Sequence, residues 1–296
     1  MSMFTITVPA SSANIGPGFD SAGLAVERYL TLTVERQDQW EFAHLSPFLP
    51  KETNYQEHFI YQVAKKIAEK HGQVLPPCKV VVDSDIPLAR GLGSSASAVV
   101  AGIELANQLC ELELSRTEKL AYATEIEGHP DNVAPALFGG LVVSVKTVGG
   151  DIDFVQIPNV DLDLILYIPN VELKTEEARN VLPNQFTRDE ATSASGVSNV
   201  MIASLLMKDY ERAGKMMEQD LFHEPYRAKL IPNYEMIKEQ AKKFGAYGTV
   251  ISGAGPTMIS FAPKGEGQSI VTQMNKVLEN YDVTSLQIDY NGLQVQ

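Results

Sequence analysis

The residues best suited to chemistry lie in one run, Pro87-Leu88-Ala89-Arg90-Gly91-Leu92-Gly93-Ser94-Ser95-Ala96-Ser97. Gly91 and Gly93 can adopt backbone conformations closed to other residues, and they put no side chain between the main chain and a ligand. Ser94 and Ser95 stand where an N-cap belongs, ahead of a small-residue-rich stretch that reads as helix over 94–110. The first N–H groups of a helix have no partner within it, and the helix dipole adds partial positive charge at the same end. Together they make an anion site suited to phosphate oxygens. A serine hydroxyl beside it can also ligate a hard cation such as magnesium. The loop has neither the lysine of GxxxxGK[ST] nor the spacing of GxGxxG. A tight turn leading into a capped helix accounts for the same residues without any ligand.

Other segments carry acids, amides and guanidinium groups. In Glu125-Ile126-Glu127-Gly128-His129-Pro130-Asp131-Asn132, two carboxylates precede a histidine, an acid and an amide. Either glutamate is also ordinary on a solvated helix, and a histidine can be satisfied by a local hydrogen bond. Near the N-terminus, the run 8–23 leads from a strand into a loop rich in glycine and proline that carries Asn14 and Asp20. Asparagine and aspartate are also common turn residues. The run 248–257, which includes Gly255, reads as a glycine-rich hairpin. Arg179 lies within 174–183 and Arg227 within 223–232; a lone surface arginine is usually only solvated.

Elements that could position these residues follow from periodicity. Residues 4–8 and 30–34 alternate apolar residues with threonine, which predicts half-buried strands. Strands are also expected at 79–83, 141–145, 162–168, 249–252, 257–261 and 283–289. Helices are expected at 57–70, 115–127, 190–206, 209–220, 233–243 and 266–279. No clean βαβ repeat emerges, so the class is α+β. Gly149-Gly150-Asp151 and the Pro158–Asn159 turn are the best boundary, dividing the chain into 1–158 and 159–296.

Composition narrows the partners. The chain has 296 residues, 44% of them hydrophobic, enough for substantial cores. Its formal charge of 24 − 37 = −13, without a basic run, argues against a nucleic-acid partner. Backbone donors and a cation can still hold a nucleotide locally. No apolar stretch is long enough to span a membrane, and the start does not read as a signal peptide, so a cytoplasmic location is expected. Cys78 and Cys110 form no metal or disulfide pattern and read as core thiols.

The run 87–97 resembles throughout the central nucleotide-binding motif Pro-x-x-x-Gly-Leu-Gly-Ser-Ser-Ala of the GHMP kinases, the superfamily of galactokinase, homoserine kinase, mevalonate kinase and phosphomevalonate kinase. Residues 13–20 resemble the first motif in its homoserine kinase form, with Ile15 in place of leucine. Residues 248–257 resemble the third. The three stand in the family order. The surroundings of Arg179 and Arg227 resemble homoserine kinase segments that the general pattern lacks, and the chain is identified on them as a member of that branch.

The resemblance implies a two-domain α+β fold: an N-terminal ribosomal-protein-like domain with a left-handed crossover, a ferredoxin-like C-terminal domain, and an active site between them. It implies transfer of the γ-phosphoryl group of ATP to the side-chain hydroxyl of L-homoserine, a step toward threonine. Pro87 to Ser97 would bind the nucleotide. Magnesium would lie on Ser95 and Glu127, with Glu125 the alternative, because this chain is shorter between the glutamates and the histidine than many members. Asp131 or Asn132 would orient the hydroxyl. Asn14, Asp20, His129, Arg179, Arg227 and Gly255 would face the substrate, with the arginines on its carboxylate and Asp20 on its ammonium. Homoserine kinases commonly have Asn-Leu-Ile where this chain has His58-Phe59-Ile60, so His58 would stand near the base. A mevalonate-type kinase and a non-catalytic GHMP ligand sensor are the alternatives, and a homodimer is a family-based expectation.

Overall fold

The computed structural model describes residues 2–49, 54–157 and 159–296. Pro158, half of the expected boundary turn, lies outside them. In chain order the elements are β1 (Ser2–Ala13), β2 (Ala22–Arg36), β3 (Glu41–His44), α1 (Phe59–Lys70), β4 (Cys78–Ser84), α2 (Ser94–Leu109), α3 (Arg116–Glu127), α4 (Val133–Phe138), β5 (Leu141–Lys146) and β6 (Ile152–Ile157). There follow β7 (Leu162–Pro169), α5 (Thr175–Asn180), α6 (Arg188–Leu206), α7 (Tyr210–Met217), α8 (Glu224–Arg227), α9 (Tyr234–Lys243), β8 (Gly248–Ile251), β9 (Met258–Pro263), α10 (Gly267–Met274), β10 (Tyr281–Leu286) and β11 (Gln294–Val295).

The first sheet grows from the long antiparallel pair β1–β2, in which Ile6 faces Leu32 and Val8 faces Leu30. Strand β4 joins the far side of β2, and β3 joins β4 in parallel after the crossing made by α1. Strands β5 and β6 extend the near end of β2. Helix α2 lies in the core, with Val99, Val100, Ile103 and Leu105 at most 1% exposed. A helix apolar on every side has to be covered on every side. Small residues allow this: a Cβ on Gly102 would come within 2.8 Å of Val63, so α1 crosses there. Each large apolar side chain buried in this way contributes about 1.5–3 kcal/mol. Helix α3 begins with the capping box Ser115–Glu118 and ends at Gly128, whose φ of +93° suits glycine.

The second sheet has the order β10-β7-β9-β8, all antiparallel. Numbered from β7, that is order 4-1-3-2, and α9 and α10 cover one face, as expected of a ferredoxin-like unit. Strand β7 is buried on both faces: Ile165 and Tyr167 meet α9 and α10, while Leu164 and Leu166 join the core shared with the first sheet, α6 and α7. Two-sided burial explains why its sequence is apolar from Leu164 to Ile168. The chain then returns, and β11 pairs with β1, so the last residues complete the first sheet. The expected α+β class and two-domain layout hold. No helix among the described residues is long and apolar enough to cross a membrane. Cys78 is a core thiol as expected, pushed up to about 12 by burial.

Candidate active site

Three glycine-containing loops hold one another in place. Ser11 N–H donates to Leu92 O at 3.1 Å, Gly253 N–H to Ala13 O at 3.0 Å, and Thr257 N–H to Arg90 O at 3.3 Å. Ser252 Oγ donates to Gly91 O at 2.7 Å. The packing leaves no room for a side chain at Gly91, φ +75°, where a Cβ would sit 2.3 Å from Ser252 O. At Gly93, φ +68°, a Cβ would sit 2.2 Å from Ser11 Oγ.

Gly93, rather than Ser94 or Ser95, is the N-cap of α2, and no side chain caps the helix. The left-handed backbone needed at that position selects glycine and moves both serines into the first turn. Its leading N–H groups are therefore left for a ligand. Ser95 Oγ donates to Glu127 Oε1 at 2.6 Å, joining the start of α2 to the end of α3. Glu125 points the other way, pairing with Lys70 at 2.7 Å and Lys66 at 3.9 Å. The Lys70 hydrogen bond holds its carboxyl below the usual range.

A cavity of about 100 Å³ opens beside this helix end, lined by Ser94, Ser95 and Glu127 on one side and by Asp20, Arg179 and Arg227 on the other. Asn14, His129, Asp131 and Asn132 also line it. Asn14 is buried and knits the loops together, its Nδ2 donating to Gly253 O at 2.8 Å while its Oδ1 accepts from Asp20 N–H at 3.1 Å. Asn132 donates to Ser11 Oγ at 2.9 Å. His129 Nδ1 is hydrogen-bonded to the buried Asp131. Burial opposes the charged imidazole, but the bond and charge of Asp131, with Asp20 beyond, outweigh it and raise the His129 pKa. Arg179 grips Asp20 bidentately, at 2.8 and 3.2 Å. Burial works against its charge, and the Asp20 bond more than restores it, so its pKa rises.

A second cavity, of about 420 Å³, adjoins the first across Ser94 and Ser95. Its walls are mainly apolar, with Phe59, Ile60, Val82, Ile86 and Leu88 beside His58. The His58 ring stacks on Phe42, with centroids 4.0 Å apart.

Residues 58–140 match the GHMP kinases N terminal domain and residues 201–280 the GHMP kinases C terminal domain. A homoserine kinase of Oceanobacillus iheyensis is 54% identical over 298 residues, covering 100% of both chains. A solved structure from Listeria monocytogenes superposes with a TM-score of 0.85 at 41% identity, covering 99% of each chain. The crystal structure of a homoserine kinase from Cytophaga hutchinsonii also gives 0.85, at 29% identity, covering 100% of this chain and 99% of that one. The chain belongs to the homoserine kinase family of GHMP kinases.

Within this homoserine kinase framework most of the expected site residues converge. Ala89, Gly91, Gly93, Ser94, Ser95 and Ala96 line the first cavity, and Leu88 the second. Leu92 and Ser97 are buried instead, with Ser97 Oγ donating to Pro9 O at 2.9 Å. Pro87 and Arg90 lie toward a different groove, where Arg90 pairs with Glu172 at 3.4 Å. Gly255 does not reach the first cavity: its α-carbon faces Ile231 and Ile251, and Gly253 and Ala254 form that wall. Leu173 and Thr175 were not singled out from the sequence, and only their place just ahead of Arg179 could have suggested them. Phe19 was not singled out either, and only its place beside Asp20 could have suggested it; its ring lies under both guanidinium groups, 5.9 Å from Arg179 and 5.5 Å from Arg227.

Proposed function

We propose that the chain transfers the γ-phosphoryl group of ATP to the side-chain hydroxyl of L-homoserine, giving O-phospho-L-homoserine and ADP in a step toward threonine. The observation that carries this reading is the meeting, in one cavity, of an uncapped helix N-terminus with a charge pair fitted to the two ends of an amino acid. Full-length relatives named homoserine kinase support it. A bond forms between the hydroxyl oxygen and the γ-phosphorus, the bond from that phosphorus to the ADP oxygen breaks, and the hydroxyl proton leaves. Such a transfer depends mostly on positioning and charge stabilisation.

The first N–H groups of α2 receive phosphate oxygens, and the apolar second cavity takes the flat base, with His58 at its wall. Ser95 Oγ and Glu127 Oε1, 2.6 Å apart, are a hard-oxygen donor set that fits magnesium, and we assign the ion to them. Bound there, it would offset phosphate charge. Asp131 and Asn132 orient the hydroxyl. Asp20 takes the ammonium, and Arg179 and Arg227 take the carboxylate. Substrate entry thus exchanges the internal Asp20–Arg179 pair for a pair at each end of the ligand. An enzyme drawing on ATP and a free amino acid belongs in the cytoplasm.

Steady-state ADP release tests this reading, with L-homoserine compared against 4-hydroxybutyrate, 3-aminopropanol and mevalonate. Each analogue lacks a charged group and leaves a side chain without its partner. Only homoserine should turn over efficiently. Equal use of 4-hydroxybutyrate would remove the ammonium assignment and make another hydroxy acid the leading substrate.

A further inference from the structure

His223 is fully buried and has no part in the scheme above, yet its ring touches the substrate end of the site on three sides. Its Nε2 lies 3.0 Å from Gly16 O and 3.5 Å from Asp220 Oδ2. Both of those oxygens accept, so Nε2 carries the hydrogen. Nδ1 is then a bare acceptor, and Arg227 Nη1, which can only donate, approaches it at 3.3 Å. One ring face stacks on Phe19, with centroids 5.3 Å apart. Arg227 is itself only 2% exposed. Its Nε donates to Ala178 O at 3.0 Å, and Nη1 also reaches Gly253 O at 3.2 Å. Nη2 is left as the donor for the cavity that Arg227 lines. Burial, with Arg179 nearby, pulls this guanidinium down to about 10, which still leaves it charged at neutral pH.

We infer that His223 is a positioning residue for recognition of the amino-acid carboxylate: it fixes the direction of Arg227 and, through Gly16, ties it to the loop that carries Asn14 and Asp20. The inference rests on the reading that Arg227 receives a carboxylate. A histidine can do this because one ring holds a donor and an acceptor on opposite sides, each facing a different segment.

Kinetics of variants test it. His223→Leu removes the acceptor, and KM for homoserine should rise about tenfold or more, the scale of one hydrogen bond to a charged group. KM for ATP should stay within about twofold, since the nucleotide end is untouched. His223→Asn returns an oxygen near the Nδ1 position and should recover most of the loss. In an Arg227→Lys background, His223→Leu should add little, because coupled residues are not additive. An equal rise in both KM values, or the same added factor in the Arg227→Lys background, would overturn the proposal in favour of a packing role. If His223→Leu does not fold, the same cycle is read with His223→Phe, which keeps a ring against Phe19 but has no acceptor: a smaller added factor in the Arg227→Lys background supports the coupling, and the same factor in both backgrounds overturns it. Wild type that fails to use homoserine sinks the substrate reading itself, and this inference with it.

Discussion

At the phosphate end of the cleft, the groups awaiting a ligand are backbone N–H donors at the start of α2, held in place by glycines too crowded to carry a side chain. At the amino-acid end they are side-chain charges, and two of them, Asp20 and Arg179, already hold each other. The first arrangement is rigid and needs no rearrangement to accept an anion. On the proposed reading the second gives up an internal pair, which a zwitterion can compensate at both ends and a singly charged molecule cannot. On that reading, selectivity for phosphate is built into the main chain, and selectivity for the acceptor into an exchange of partners. The proposed exchange would also join distant parts of the chain, because Asp20 belongs to the loop after β1 and Arg179 to α5.

The largest expected effect comes from breaking the rigid end. Gly93→Val places a β-branched residue at φ +68°, with its Cβ 2.2 Å from Ser11 Oγ and 3.1 Å from Asn132 Nδ2. Calorimetry should show ATP binding lost, with a lowered Tm. Unchanged affinity would reduce the loop to a packing element. Next comes Glu127→Gln, which keeps size and removes charge where phosphate charge must be offset. Its kcat should fall about a hundredfold, the usual cost of losing one electrostatic stabiliser. Glu125→Gln is the control, because Glu125 spends its charge on Lys70 and Lys66 at the outer surface. An inactive Glu125→Gln beside a normal Glu127→Gln would reverse the assignment.

The same contrast decides what could be read from the sequence. The phosphate site proposed for the run 87–97 is made by backbone groups of one loop and helix start, so contiguous residues were enough to suggest it. The error there was local: the serines suggested the cap, whereas the left-handed turn required Gly93. Glu125 and Glu127 could not be separated, because residues two apart on a helix point about 200° apart and nothing in the sequence says which side faces the site. The amino-acid end joins distant residues, Asp20 and Arg179 being 159 positions apart, a connection that only the family resemblance suggested. Gly255 missed the cavity while Gly253 and Ala254 met it, a difference set by the path of one turn. Among elements, β3 is short and half-exposed, β11 has two residues, and α4 is buried at every position with Pro135 in its first turn. None of these carries a periodic signal.

Substrate selectivity sharpens the comparison on a smaller scale. Asp20→Asn deletes the ammonium partner and also frees Arg179 from its internal acid. The kcat/KM for homoserine should fall about tenfold to a hundredfold, the cost of a lost charged hydrogen bond. For 4-hydroxybutyrate it should hold or rise, because a carboxylate no longer competes with Asp20. Parallel losses for both compounds would mean that the pair is not exchanged on binding.

The smallest effect is expected in folding stability, and it separates an exchangeable pair from a structural one. The side chains of Asp20 and Arg179 are 35% and 37% exposed, so water screens their attraction even though the fork is bidentate. A pair of this kind contributes between about 0 and 1 kcal/mol. Asp20→Asn also leaves the local backbone intact. Asp20 has φ +53°, a left-handed conformation that asparagine tolerates, and its N–H still donates to Asn14 Oδ1. The domains do not depend on the pair, because the core runs continuously from the first sheet to β7 and β9. Urea unfolding of Asp20→Asn should therefore show a loss of less than about 1 kcal/mol, in the variant whose use of homoserine falls most at this end of the site. A loss of about 3 kcal/mol or more, the scale of breaking a buried ion pair, would make the pair a clamp between domains and remove the premise that substrate displaces it.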